Sequence, residues 1–454
     1  MMSNYNIFNG LEKFGDSIAL ETETEKISYT QLNNLATKFF NEHKIFERAL
    51  VFLVCKNSVQ SIVNYFACLK NNAVPVLINA NINHDLLERL KDLYKPNFIV
   101  RENEVTALNL NHHAINQDTA ILLTTSGSTG SPKFVKQSYK NIFANTKSIC
   151  EYLKISPNDK AITTMPMSYT YGLSILQTHL FSGACVFVTE KNFFSRDFWN
   201  IMREKKISTF GAVPYTYEML DKLRFFKMDL PDLKYVTQAG GHLNADLHKK
   251  FAEGFKAQGK NFIVMYGAAE ATARMSYVPA EFSTSKIGSI GVAIPGGKFE
   301  LVDDDGKIIA QPETAGELVY YGDNVTLGYA ENYNDLAKPD ENHGRLLTGD
   351  IAKFDAEGFF YIQGRKKRFL KIFGNRINLA ELEEILRNNN FECACAGVDD
   401  HLKIYTTNSD ENVTNEIKSL AEKTTHLNHS AFEVKFIKTF PRNEAGKILY
   451  SELN

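Results

Sequence analysis

The chain has 454 residues, more than one hydrophobic core usually organises, so two or more domains are expected from length alone. Its composition, 44% hydrophobic and 23% charged, is ordinary for a globular protein, and a net charge of −2 without any long Lys/Arg block argues against nucleic acid or an anionic membrane as the main partner. No run approaches the ~18 apolar residues of a membrane span, Met1 to Asn6 lacks the basic and apolar regions of a signal peptide, and six cysteines without Cys-x-x-Cys spacing, of which Cys55, Cys68 and Cys185 read as buried thiols in apolar runs, fit a reducing cytoplasm.

In chain order, Ala49 to Cys55 reads as a strand, and Ser58 stands at the N-cap of an apolar-periodic helix from Val59 to Leu69. A strand from Ala73 to Ile78 and a helix from His84 to Tyr94 follow. Further apolar runs at Ala120 to Thr125, Ala161 to Thr164, Ala184 to Thr189, Ser208 to Val213, Tyr235 to Gln238 and Asn261 to Met265 alternate with helical patterns. This rhythm predicts parallel sheets wound with helices, an α/β fold. Near residue 288 the texture turns Gly-rich, with short strands expected at Gly288 to Gly291, Gly316 to Tyr321 and Gly358 to Ile362, as in a small antiparallel β-subdomain. Beyond Arg365 a helix (Leu379 to Asn388), a strand (Leu402 to Thr407), a helix (Val413 to Lys423) and a strand (Phe432 to Ile437) describe a small α+β domain.

The segment Thr124-Thr-Ser-Gly-Ser-Thr-Gly-Ser-Pro-Lys133 directly follows a strand. Gly127 and Gly130 permit positive φ and close approach of backbone N–H groups to an anion. Ser126, Ser128 and Thr129 add hydroxyl donors, and Lys133 adds a compact positive charge. The set suits the phosphates of a nucleoside triphosphate. It is not a Walker loop, because Ser131-Pro132 separates Gly130 from Lys133 and no hydroxyl residue follows the lysine.

Thr125 to Lys133 resembles the signature of the acyl-adenylate-forming superfamily, which contains acyl-CoA synthetases, amino-acid adenylation domains and luciferases. Four more segments are similar to that family's motifs, in the same order: Tyr266-Gly-Ala-Ala-Glu270, Leu347-Thr-Gly-Asp350, Gly364-Arg365 with Lys371 to Ile377, and Pro441-Arg-Asn-Glu-Ala-Gly-Lys-Ile448. The resemblance implies a large N-terminal adenylation domain of stacked αβα sheets (1–364, with a β-subdomain at about 288–364), a hinge near Lys367 and a small mobile α+β C-terminal domain (365–454). It further implies ATP-dependent activation of a carboxylic acid to acyl-AMP, with Mg²⁺, then transfer to the thiol of CoA or of an acyl carrier protein's phosphopantetheine.

Residue by residue, the resemblance places Thr125, Ser126, Gly127, Ser128, Thr129, Gly130 and Lys133 on the β- and γ-phosphates, Tyr266 on the adenine, Gly267 in the nucleotide site, and Asp350 with Arg365 at the ribose hydroxyls. Glu270 would ligate Mg²⁺, a role that suits carboxylate oxygen. Lys447 would reach the α-phosphate and the acid, although a lysine after a turn glycine is by itself a solvated charge. Tyr169, Tyr171, Gly240 and Gly241 would line the acid site. The run Lys366-Lys-Arg368, taken alone, reads as a solvated basic face.

Three departures stand out. Ala269 replaces the family's threonine, removing one hydroxyl donor; Phe134 replaces a glycine after the loop lysine; and the C-terminal domain is short. Tyr169 stands where acyl-type members carry His. No acidic residue lies between Ala161 and Thr189 to pair an α-ammonium, so a fatty, hydroxy or aromatic acid is favoured over an amino acid. The alternatives are a ligase with a non-thiol acceptor, a D-alanine-type adenylating enzyme and a weakly catalytic AMP-binding protein.

Overall fold

The structure, a computed structural model, describes residues 5–124, 133–372, 375–398, 400–425, 427–428, 431–442 and 448–453. They fall into two compact units, the first within Met1–Thr125, Ser131–Lys298 and Tyr320–Leu346, the second within Phe299–Val319 and Leu347–Asn454.

In the first unit, strands whose two faces are both apolar become the centres of two sheets. The seven-stranded sheet runs Tyr329–Ala330, Phe134–Ser138, Thr119–Thr124, Val74–Asn79, Leu50–Cys55, Phe98–Arg101, Glu104–Ala107. The nine-stranded sheet runs Val292–Ala293, Ser276–Tyr277, Asn261–Tyr266, Tyr235–Gln238, Thr209–Ala212, Lys160–Ile162, Cys185–Phe187, Ile18–Glu21, Lys26–Ser28. Central neighbours pair in parallel and the edges antiparallel.

The period-two pattern of one strand shows how the layers form. Val51, Leu53 and Cys55 join a core with helices Tyr29–Glu42, Val59–Lys70 and Thr170–Phe181 and with Leu20 and Val186 of the other sheet. Leu50, Phe52 and Val54 face the opposite way, onto Leu87, Leu90 and Tyr94 of helix His84–Tyr94. Phe210, Val236 and Phe262 bury the outer face of the nine-stranded sheet under helices Arg196–Glu204, Pro214–Lys222 and Ala245–Ala257. Ser58 caps its helix as expected, and Ser28 and Ser138 form capping boxes with Gln31 and Asn141. The expected strand at Gly288 to Gly291 is instead a turn ending at Gly288 and an irregular link, with both glycines at positive φ (78° and 84°), before strand Val292–Ala293. Among the described residues no helix is long and apolar enough to cross a membrane.

The second unit holds most of a four-stranded sheet (Gly297–Val302, Gly316–Gly322, Arg345–Phe354, Phe360–Arg365), a hairpin (Phe369–Ile372 with Asn375–Asn378) and a three-stranded sheet (Cys393–Val398, His401–Thr406, Phe432–Phe436). Helices Leu379–Asn388 and Glu411–Thr425 close the last over Leu382, Leu386, Ile404 and Ile417.

Arg368 is not the solvated charge its sequence context suggests. It forms a two-pronged pair with Glu383 (2.7 and 3.1 Å) and stacks on Tyr450 at 3.9 Å. Glu383 also accepts from the Cys395 amide and the Tyr450 hydroxyl. Burial opposes the Arg368 charge, but the Glu383 carboxylate more than compensates and raises its pKa above the ordinary arginine value. Removing one member leaves the other charge desolvated and unpaired, which costs about 3–5 kcal/mol. Glu383→Ala is therefore expected to strip hydrogen-exchange protection from the Cys393–Val398 amides; protection equal to wild type would contradict the assignment.

Candidate active site

Strand Asn261–Tyr266 delivers the first group. Its last residue, Tyr266, is half-buried, and the next, Gly267, passes so close to the returning chain that a Cβ there would lie 1.8 Å from the Ala273 carbonyl oxygen. Only glycine fits this crossing. A short 3₁₀ turn, Ala269–Ala271, then presents Glu270.

Thr272 follows at φ 64°, ψ −67°, and the Ala273 amide donates to the Ala271 carbonyl at 2.7 Å. This is a γ-turn with positive φ, a strained conformation for a β-branched residue. Side chains from several elements hold it. The Thr272 carbonyl accepts from Gln137 Nε2 (3.2 Å) and Thr170 Oγ1, and its own hydroxyl donates to the Asn324 carbonyl (2.7 Å). Asn324 Nδ2 donates to the carbonyls of Ala271 and Arg274, while Asn145 exchanges two bonds with the Arg274 backbone.

Glu270 is thereby set beside Tyr329. Its carbonyl accepts from the Thr326 amide and hydroxyl, and its Oε1 accepts from the Tyr329 hydroxyl at 2.6 Å. The pairing of Tyr329 with Val135 brings the tyrosine next to Lys133, whose Nζ lies 3.8 Å from the ring centroid. The structure thus brings together two predicted site residues, a carboxylate and an ammonium, on one phenol. Phe134 sits fully buried behind Lys133, packed on Tyr94 and Phe52, so the replaced glycine serves the core. Among the described residues no group of three or more His, Cys, Asp or Glu gathers to hold a metal. A lone carboxylate suits Mg²⁺, which keeps several waters and takes its other ligands from phosphates.

A second set surrounds the start of helix Thr170–Phe181. Gly240 has φ 91°, and a Cβ there would lie 2.7 Å from the Tyr169 hydroxyl, while Gly241 abuts Pro214. Tyr169, Gly240 and Gly241 are therefore neighbours. Tyr171 lies deeper, fully buried, with its hydroxyl bonded to Thr237, and burial pushes that hydroxyl's pKa up to about 12. Tyr215 is exposed at the start of its helix.

In the second unit Asp350 and Arg365 pair across adjacent strands, with Arg365 Nε 2.8 Å from the buried Asp350 carboxylate. Lys366 binds Glu317 at 2.8 Å. Lys367 stands between Lys366 and the anchored Arg368, within the 3₁₀ turn Lys366–Arg368. Thr125 to Gly130 and Lys447 lie outside the described residues.

Sequence reasoning missed Tyr329, Asn324 and Arg274. Tyr329 and Asn324 meet Glu270's loop only through long-range pairing, which no local pattern reports. Arg274 carried a usable signal: a cation amid small and apolar residues, Ala273 and Met275, one strand spacing from the predicted site.

The family described as AMP-binding enzyme matches residues 97–330, just over half of the chain. A luciferin 4-monooxygenase of Nipponoluciola cruciata is 26% identical over 346 residues, 73% of this chain but only 62% of its own length. A 2-succinylbenzoate–CoA ligase of Bacillus cereus is 25% identical over 96% of this chain and 95% of its own. The o-succinylbenzoate CoA synthetase of Bacillus subtilis, solved with an acyl-adenylate intermediate, is similar in fold with a TM-score of 0.80 at 21% identity, covering 99% of this chain and 97% of that one.

Because Tyr329 orients Glu270, Tyr329→Phe is expected to weaken Mg²⁺-dependent ATP binding by about tenfold, the usual scale for a partner of a metal ligand. Titration calorimetry with and without Mg²⁺ checks this. Equal loss in both conditions would show that the hydroxyl does not act through the carboxylate.

Proposed function

We infer, from the premise that this chain belongs to the AMP-binding enzyme family, that it activates a carboxylic acid with ATP and passes the acyl group to a thiol. In the first step an acid oxygen attacks the α-phosphorus and the bond to pyrophosphate breaks. In the second, a thiolate attacks the acyl carbon and AMP departs with the oxygen that bridged carbon and phosphorus. The observation that carries this reading is the pair of opposite charges, Glu270 and Lys133, mounted on Tyr329 beside the Gly267 crossing.

Lys133 would meet phosphate oxygens, with the donors of Thr125 to Gly130 contributed by resemblance alone. Glu270 would hold Mg²⁺, whose charge neutralises the leaving pyrophosphate. Tyr266 and Gly267 would border the adenine, and Asp350, oriented by Arg365, would accept from the ribose hydroxyls. Tyr169, Gly240 and Gly241 would bound the acid. The cation of Arg274, stacked 3.9 Å from Tyr171, disfavours an amino acid, whose ammonium it would repel.

Domains at 1–364 and 365–454 meet at Lys367 in this reading. Lys366 is tied to Glu317 and Arg368 to Glu383, so backbone rotation between those two anchors concentrates at Lys367. The acceptor is CoA or the phosphopantetheine of a carrier protein, which present the same thiol, and the setting is cytoplasmic.

Lys447 serves only the first step. Lys447→Ala is expected to lower acid-dependent ATP–pyrophosphate exchange by about 100-fold or more, the scale of losing one transition-state donor, while premade acyl-AMP still transfers to CoA. Comparable loss of both steps would overturn the assignment.

A further inference from the structure

Beneath Tyr171 lies a cavity of ≈ 20 Å³, walled by Tyr171, Ser174, His179, Gly211, Thr237 and Arg274 among others. That volume admits one or two water-sized groups. Gly211 is part of the wall for want of space: a Cβ there would lie 2.8 Å from both the Tyr171 hydroxyl and Ile175 Cδ1.

Arg274 is 3% exposed and has no ion-pair partner among the described residues. Its two terminal nitrogens make long bonds, each 3.3 Å, to the Ala273 carbonyl and the Ser174 hydroxyl. Its Nε is buried and has no hydrogen-bond partner among the described residues. The Tyr171 ring covers the guanidinium face at 3.9 Å, which offsets part of the desolvation but satisfies no N–H. His179, also 3% exposed, turns Nδ1 to the Ile175 carbonyl and leaves Nε2 buried without a partner among the described residues. Burial lowers its pKa to about 4, so the ring is neutral and Nε2 is an acceptor. One small cavity therefore has an unneutralised cation with an unused donor and, separately, an unused acceptor. A buried guanidinium is costly unless an anion meets it, and the described residues supply none.

We propose that this cavity receives the distal carboxylate of a short dicarboxylic acid, held by Arg274, while the acid's other carboxylate is the one adenylated. The cavity's size excludes a long alkyl chain, and its charge rejects an apolar end. The loop geometry supports the coupling, because Arg274 and the proposed magnesium ligand Glu270 flank the same pinned turn at Thr272. The proposal rests on the acid-activating reading above.

The test compares matched acids, succinate against butyrate and glutarate against valerate, in ATP–pyrophosphate exchange with wild type, Arg274→Met and Arg274→Lys. Wild type should favour the diacid by about 10⁴-fold or more in kcat/KM, the scale on which a site built for a polar group rejects an analogue lacking it. That ratio should fall below about 5 in Arg274→Met, with Arg274→Lys between. A wild-type preference for the monoacid, or an unchanged ratio in Arg274→Met, overturns the proposal, and the wild-type ratio decides alone if that variant does not fold. The diacids should also raise the Tm of wild type, and not of Arg274→Met, without ATP. A retained Tm shift with no exchange for any acid would sink the acid-activating reading and keep the subsite; neither shift nor exchange would remove the subsite.

Discussion

The turn at Thr272 is the constraint on which the site in the first unit depends. A threonine at φ 64°, ψ −67° costs of order 1–3 kcal/mol, and each hydrogen bond that holds it returns about 0.5–1.5 kcal/mol. Gln137, Asn145, Thr170 and Asn324 together outweigh the strain. The outcome is a short loop that cannot relax. It fixes a carboxylate at Glu270 and a guanidinium at Arg274 with the geometry each needs.

That fixity separates two kinds of chemistry along five residues. Glu270, half-buried and bonded to Tyr329, shares that ring with Lys133, an arrangement suited to phosphate oxygens and a hard cation. Arg274 lines a small cavity under Tyr171 with the opposite charge. In the second unit charge is used for anchoring. Arg368 and Lys366 are each tied to a carboxylate, and Lys367 lies between the two ties.

Much of the fold was legible because strands buried on both faces read as unbroken apolar runs. Leu50–Cys55 and Asn261–Tyr266 stand within a residue of where that pattern put them. Gly288 to Gly291 misled because glycines at positive φ mark a turn as readily as a strand end. The candidates Glu270, Asp350 and Arg365 were legible as parts of contiguous motifs. Tyr329 was not, since 59 residues separate it from Glu270 and only sheet register joins them. The role of Arg368 was hidden for a related reason: a basic run looks solvated until Glu383 and Tyr450 fold against it.

The central claim is that an acid oxygen becomes bonded to the α-phosphorus of ATP at this site. Turnover of an acid labelled with ¹⁸O in its carboxyl groups, with CoA as acceptor and mass spectrometry of the nucleotide product, measures that bond directly. The account predicts AMP carrying one ¹⁸O atom. Unlabelled AMP, or ADP and phosphate as the acid-dependent products, would contradict it.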